Sequence, residues 1–260
     1  MRLVRYALDN APIQHGILLQ DGQVKDLPGL PFDGWDTDAP PNPCPQLLSP
    51  VDPPNVFAIG RNYAEHAAEL GNEAPSIPLV FMKPTTTVIG PEAKIELPAS
   101  APEQVDYEAE LAVVIGRTTR NVSVEEAPDA IMGYTCANDI TARDCQRSEK
   151  QWTRGKGFDT FCPLGPWIVP ASSLNPGNLR ITSRLNGRTM QDGNTNQMVH
   201  SVPSLVSYLS HQFTLLPGTV ILTGTPAGVG SGRTPPVFLQ SGDHIEVEIE
   251  GIGVLRNSVA

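Results

Sequence analysis

Proline and glycine spacing restricts this chain more than any other feature of its sequence. With 26 prolines and 23 glycines in 260 residues, few segments escape a residue that breaks a helix interior or interrupts a sheet ladder. Many short strands and turns are therefore expected in place of long helices: a mixed, β-rich α+β fold with a few short helices. From Pro28 to Pro54 there are nine prolines, including Pro40-Pro41-Asn42-Pro43 and Pro53-Pro54, which reads as an extended connector. It divides the chain into 1–53, a small N-terminal β unit with its connector, and 54–260, the main domain. The first unit alternates like strands at Leu3-Val4-Arg5-Tyr6 and Gly16-Ile17-Leu18-Leu19, with a turn at Asp21-Gly22. Further strand-like runs appear at Asn55–Ile59, Leu79–Met82, Leu111–Ile115, Val220–Thr223 and Ile245–Ile249.

Charge narrows the partners. Eighteen Lys and Arg against 28 Asp and Glu give a net charge of -10, which repels phosphate backbones and anionic lipid, so neither nucleic acid nor a membrane surface is expected. Met1-Arg2-Leu3-Val4-Arg5-Tyr6 lacks the apolar core of a signal peptide. Nowhere do the roughly 18 apolar residues of a spanning helix run together, and the expected location is the cytoplasm. Cysteines 44, 136, 145 and 162 have neither CxxC spacing nor disulfide-scaffold density, as fits reduced thiols without a metal role.

Three segments read as helices. Arg61 to Gly71 is Ala-rich, ends at a glycine, and sets His66 and Glu69 three apart on one face. Such a pair is either a solvated helix face or a dyad in which the acid orients an imidazole that takes a proton. A second helix is expected from Thr141, capped with Asp144 in a capping-box pattern and carrying Arg143 and Gln146 on one face. The third, Val199 to Phe213, has the apolar stripe Val202, Leu205, Val206 and Leu209 of a core-packing helix.

The most informative window is Tyr107-Glu108-Ala109-Glu110-Leu111-Ala112-Val113-Val114-Ile115. Strand alternation places Glu108 and Glu110 on the face that continues with Ala112 and Val114. In Ile245-Glu246-Val247-Glu248-Ile249-Glu250, by contrast, acids keep to one face throughout, as a solvated sheet face requires. Two carboxylates roughly 7 Å apart at the backbone and entering an apolar layer repel each other unless a cation lies between them; the other possibility is a solvated edge strand. A hard cation such as Mg²⁺ calls for a third oxygen ligand. Asp139 ends the apolar run Ile131–Ala137 at a strand-to-helix corner, although Asp139 or Asn138 would equally serve as a turn cap, and Asp106 shares the parity of Glu108.

Lys156 sits between Gly155 and Gly157, which allow backbone to approach a ligand closely, or it is a surface lysine. The run Val220 to Gly230 is a buried strand entering a Gly-rich turn whose amides and Thr225 hydroxyl would suit an anion. It has neither P-loop nor GxGxxG order, so nucleotide binding is disfavoured. His15, His200, His211 and His244 form no spacing motif and read as structural.

Taken in order, Ile59-Gly60-Arg61-Asn62-Tyr63 with His66 and Glu69, Phe81-Met82-Lys83-Pro84, Tyr107 to Leu111, Asn138 to Asp144, Lys156-Gly157-Phe158-Asp159-Thr160 and Leu222-Thr223-Gly224-Thr225-Pro226 resemble the fumarylacetoacetate hydrolase family. The resemblance extends from Pro54 to the C-terminus. It implies a β-sandwich roll, usually dimeric, with Glu108, Glu110 and Asp139 holding Mg²⁺, Mn²⁺ or Ca²⁺. It also implies that Arg61, Arg143, Gln146, Lys156 and Thr225 contact substrate, that Lys156 takes part in catalysis, and that His66 and Glu69 act from a mobile lid. The larger fumarylacetoacetases add a full N-terminal domain and a further metal-ligating Asp where this chain has Arg61-Asn62, so fumarylacetoacetate itself is not the expected substrate.

The function that the resemblance and these residues together first suggest is metal-dependent hydrolysis of a C–C bond in a small dianionic 2,4-dioxo acid of the acylpyruvate or fumarylpyruvate type. The cation would stabilise a leaving enolate, Lys156 and Arg143 would add positive charge, and His66 would activate water. The alternative keeps the enolate and instead releases CO₂ or moves a double bond. Its substrates would be oxaloacetate, 5-oxopent-3-ene-1,2,5-tricarboxylate or 2-hydroxyhepta-2,4-diene-1,7-dioate, the last two from aromatic catabolism. A non-catalytic, metal-organised scaffold is disfavoured by the joint presence of Glu108, Glu110, Asp139 and Lys156.

Overall fold

The computed structural model describes residues 1–8, 12–43 and 46–260; Cys44 lies outside them. Its main sheet, taken as hydrogen-bonded neighbours, runs Pro41–Asn42, Val24–Asp26, Gln14–Leu18, Leu3–Ala7, Cys162–Pro170, Ile131–Asn138, Ala109–Ile115, Val220–Leu222, Val56–Gly60, Leu79–Lys83. A second sheet, ordered Arg188–Asn194, Arg180–Leu185, His244–Ile249, Gly253–Val259, Lys94–Ile95, packs on it through a core that includes Leu111, Val113, Ile181, Val247 and Leu255. This is the β-rich fold expected from the Pro and Gly spacing, arranged as the β-sandwich roll that the resemblance implies.

All seven residues of Ala109–Ile115 are buried. Leu111, Val113 and Ile115 face the second sheet. Ala112 and Val114 point the other way, into a core with Leu3, Val56, Leu164 and Val220. A strand covered on both faces reads as a continuous apolar run. His244–Ile249 shows the contrasting pattern: Ile245, Val247 and Ile249 are buried, while Glu246 and Glu248 pair with Arg256 and Arg184.

The N-terminal strands extend the main sheet, with Leu3 opposite Ile168 in antiparallel register, and Phe32 and Trp35 of the connector pack on the same core as Leu3. Cys136, Cys145 and Cys162 are free and buried. No helix among the described residues is long and apolar enough to cross a membrane.

Four α-helices are formed by the described residues: α1 Ala64–Glu69, α2 Arg143–Ser148, α3 Thr153–Lys156 and α4 Val202–Gln212. In α4 the Ser201 side chain accepts from the Ser204 N–H, and Val202, Leu205, Val206 and Leu209 are buried. The start of α2 differs from expectation. Thr141 lies in a short strand, Thr141–Ala142, paired with Val105–Asp106, so α2 begins at Arg143 without a side-chain cap. The pairing keeps Thr141 extended, and its hydroxyl is taken up elsewhere, donating to the Asp139 carbonyl and accepting from Lys156 Nζ.

Candidate active site

The acids meet because their strands pair. Ala109 stands opposite Asn138 and Glu110 opposite Ala137, which brings Glu108 and Glu110 to the same sheet end as Asp139. Asn138 Oδ1 accepts from the Glu108 N–H at 2.9 Å, and the Asp139 N–H donates to the Glu108 carbonyl at 2.9 Å. One oxygen from each of Glu108, Glu110 and Asp139 lies within 4.8 Å of the others, and all three residues are buried. Oxygens sharing one hard cation at about 2.0–2.6 Å are separated by at most about twice that distance. The triad therefore fits a divalent ion.

Cations already surround two of these acids. Lys156 Nζ donates to Glu108 Oε2 at 2.8 Å, Asp139 Oδ2 at 2.6 Å and Thr141 Oγ1 at 2.8 Å. Lys83 Nζ donates to Asp139 Oδ1 at 2.5 Å, and Arg143 Nη1 reaches Glu108 Oε1 at 2.7 Å. Glu110 touches no cationic side chain among the described residues; its Oε2 accepts from the Gly224 N–H at 2.7 Å. Burial would raise the Glu108 carboxyl, yet Lys156 and then Arg143 pull it down to about 2. For Glu110, burial and the charges of Asp139 and Glu108 all act to raise it, well above the usual carboxylate range. Burial would lower Lys156, but Asp139 and Glu108 more than offset this and hold it as an ammonium.

Across the cavity, His66 Nδ1 contacts Glu69 Oε1 at 2.7 Å, and Glu69 Oε2 accepts from the Gly228 N–H at 2.9 Å. α1 is thus docked on the Gly-rich turn. Every candidate from the sequence (Arg61, His66, Glu69, Glu108, Glu110, Asp139, Arg143, Gln146, Lys156 and Thr225) lines one cavity of about 500 Å³. Arg61 holds a left-handed φ of 57°, and its guanidinium lies 5.6 Å from the Trp152 ring centroid.

Several expected contacts are used differently. The Thr225 hydroxyl donates to the Ala109 carbonyl and accepts from Gln191 Nε2, leaving it no proton for an anion. The turn amides of Gly224, Gly228 and Gly230 serve the chain's own Glu110, Glu69 and Asp106. Asp106, the alternative ligand, anchors Arg143 through Nε at 2.8 Å. Gly155 admits backbone, not ligand: a Cβ there would stand 2.8 Å from the Gln146 nitrogen. Lys83, Gln191 and Ser231 had no assigned role from sequence. Only Lys83 left a trace, as a lone lysine closing an apolar strand.

Residues 55–260 match the sequence model described as fumarylacetoacetate (FAA) hydrolase C-terminal. The chain belongs to the fumarylacetoacetate hydrolase family. Among its relatives is an oxaloacetate tautomerase of Bacillus subtilis, 46% identical over 219 residues and covering 82% of this chain and 73% of the relative. The solved 5-carboxymethyl-2-hydroxymuconate delta-isomerase of Mycobacterium smegmatis superposes with a TM-score of 0.89 at 41% identity, covering 100% of this chain and 99% of that one. A fumarylacetoacetate hydrolase of Exiguobacterium antarcticum matches at 38% identity and TM-score 0.90, covering 100% and 99%.

Proposed function

We propose that this family member is a divalent-metal-dependent isomerase of a small 2-oxo dicarboxylic acid. It would move a proton through an enolate, as in keto–enol tautomerisation of oxaloacetate or double-bond migration in a hydroxymuconate-type acid. The observation that carries this is the buried Glu108, Glu110 and Asp139 triad sharing a cavity with the His66–Glu69 pair, in a chain 46% identical to an oxaloacetate tautomerase. C–C hydrolysis, the first expectation from sequence, would need the same groups and a water nucleophile besides; the names of the relatives favour isomerisation.

Bound at the triad, a divalent cation supplies Lewis-acid stabilisation of the 2-oxo acid's enolate. The residues do the rest. His66 Nδ1 donates to Glu69, which fixes the tautomer and leaves Nε2 free to take a proton from the carbon beside the carbonyl and return it. Lys156, kept as an ammonium, and Arg143 bring positive charge to the developing enolate oxygen.

The test is to add the protein with Mg²⁺ or Mn²⁺ to enol-oxaloacetate and follow enol absorbance, with CO₂ and cleavage products measured in parallel on an acylpyruvate panel. Faster loss of the enol signal without CO₂ or cleavage, abolished by EDTA, is expected. Acylpyruvate cleavage with no effect on the enol would return the assignment to hydrolysis.

A further inference from the structure

Among the described residues, two buried polar atoms on residues lining the cavity have no hydrogen-bond partner: Arg143 Nη2 and Ser231 Oγ. Asp106 ties the two residues to each other. Its Oδ2 accepts from Arg143 Nε at 2.8 Å and from the Ser231 backbone N–H at 2.9 Å, while Oδ1 accepts from the Gly230 N–H at 2.7 Å. Arg143 Nη1 is committed to Glu108 Oε1 at 2.7 Å and Gln146 Oε1 at 3.0 Å. Nη2 is then the one nitrogen of a guanidinium only 2% exposed that still has donors to offer. Buried donors, charged ones above all, are rarely left unmade without a ligand to meet them.

The geometry points to a carboxylate subsite formed by Arg143 Nη2 and Ser231 Oγ, in which the Ser231 hydroxyl selects substrates that carry a second carboxylate. This rests on the isomerase assignment: the 2-oxo acid end belongs at Glu108, Glu110 and Asp139. Arg143 spans the two places, with Nη1 on Glu108 and Nε on the Asp106 oxygen that also accepts from the Ser231 N–H. A guanidinium N–H and a hydroxyl present two donors, which a carboxylate can engage with one oxygen each. A neutral acyl tail would leave the guanidinium nitrogen unpaired. The preferred class is therefore a short 2-oxo dicarboxylate over an acylpyruvate.

The experiment is calorimetric titration of the Mg²⁺-loaded protein with L-malate, a hydroxy dicarboxylate, and with oxalate, which supplies only the chelating end. Ser231→Ala is expected to weaken L-malate by about tenfold, the worth of one hydrogen bond to a charged group, and to leave oxalate within about twofold. Ser231→Thr keeps the hydroxyl and is expected to restore L-malate binding. Equal weakening of both anions, or unchanged L-malate binding in Ser231→Ala, would overturn the subsite. Selective weakening of L-malate in a protein that turns over no enol would leave the subsite standing and remove the isomerase assignment instead.

Discussion

Glu110 is the residue on which the site's electrostatics turn. Four buried carboxylates, Asp106, Glu108, Glu110 and Asp139, face three cationic side chains, Lys83, Arg143 and Lys156, and Glu110 is the acid with no cation in contact. Its raised affinity for protons, from burial and then the charges of Asp139 and Glu108, means that the metal-free protein keeps a proton there to higher pH than an ordinary carboxylate does. Because the native state then binds more protons than the unfolded chain, the Glu110 contribution to metal-free stability falls as pH rises above the unfolded carboxylate value of about 4.3. Glu108 acts oppositely: its contribution is present above that value and lost as pH falls through about 2. A divalent cation taken up at the triad, as proposed, would displace the Glu110 proton. Titrations in buffers of different ionisation enthalpy are expected to show proton release and an affinity that rises with pH. Glu110→Gln, which mimics the protonated acid, should keep the fold and lose metal-induced stabilisation along with activity. Lys83→Met leaves Asp139 Oδ1 unpaired beside buried carboxylates and should destabilise the metal-free protein by about 3 kcal/mol in chemical denaturation. Lys83 escaped the sequence because its burial depends on Asp139, 56 residues away; in one dimension it is a lysine at a strand end.

At the level of elements, legibility followed locality. Strand alternation was enough to put Glu108 and Glu110 on one face and to separate them from the surface acids of His244–Ile249. The helical spacing of His66 and Glu69 likewise produced the contact seen. What the chain could not show is where the Gly-rich turn's amides would point, since their acceptors Glu69, Asp106 and Glu110 come from distant segments. The Thr141 cap failed for the same reason, overridden by pairing with Val105–Asp106. The contact between α1 and that turn makes a prediction. A Cβ on Gly232 would come within 2.8 Å of Glu69 Oε2, so Gly232→Ala should displace the carboxylate and release His66 from its set orientation. The expected result is a fall in kcat of about tenfold with KM little changed, a smaller loss than the 10²–10⁴-fold expected for His66→Ala. Unaltered kcat in Gly232→Ala, with the fold intact by circular dichroism, would show that Glu69 does not position His66.

For the whole molecule, the sequence division at residue 53 meets a sheet that crosses it. The family match begins at residue 55, yet Leu3 pairs with Ile168 and shares a core with Val56, Leu164, Ile168 and Val220. The strand Cys162–Pro170 lies between Leu3–Ala7 and Ile131–Asn138 in the main sheet, and the latter strand delivers Asp139. Removing residues 1–53 would bare the edge of Cys162–Pro170 around Ile168, while its Cys162 end stays paired with Val88–Ile89, and would expose the apolar side chains of Leu164 and Ile168 that share a core with Leu3. Fully burying one such side chain contributes about 1.5–3 kcal/mol, and a bare, apolar edge strand templates association. The 54–260 fragment is therefore expected to aggregate, or to unfold at lower denaturant than the full chain, and to bind Mg²⁺ more weakly because Asp139 is no longer held. A monodisperse fragment with full-chain denaturation midpoint and Mg²⁺ affinity would show that the site needs only the family domain, and that the N-terminal strands extend the sheet without supporting it.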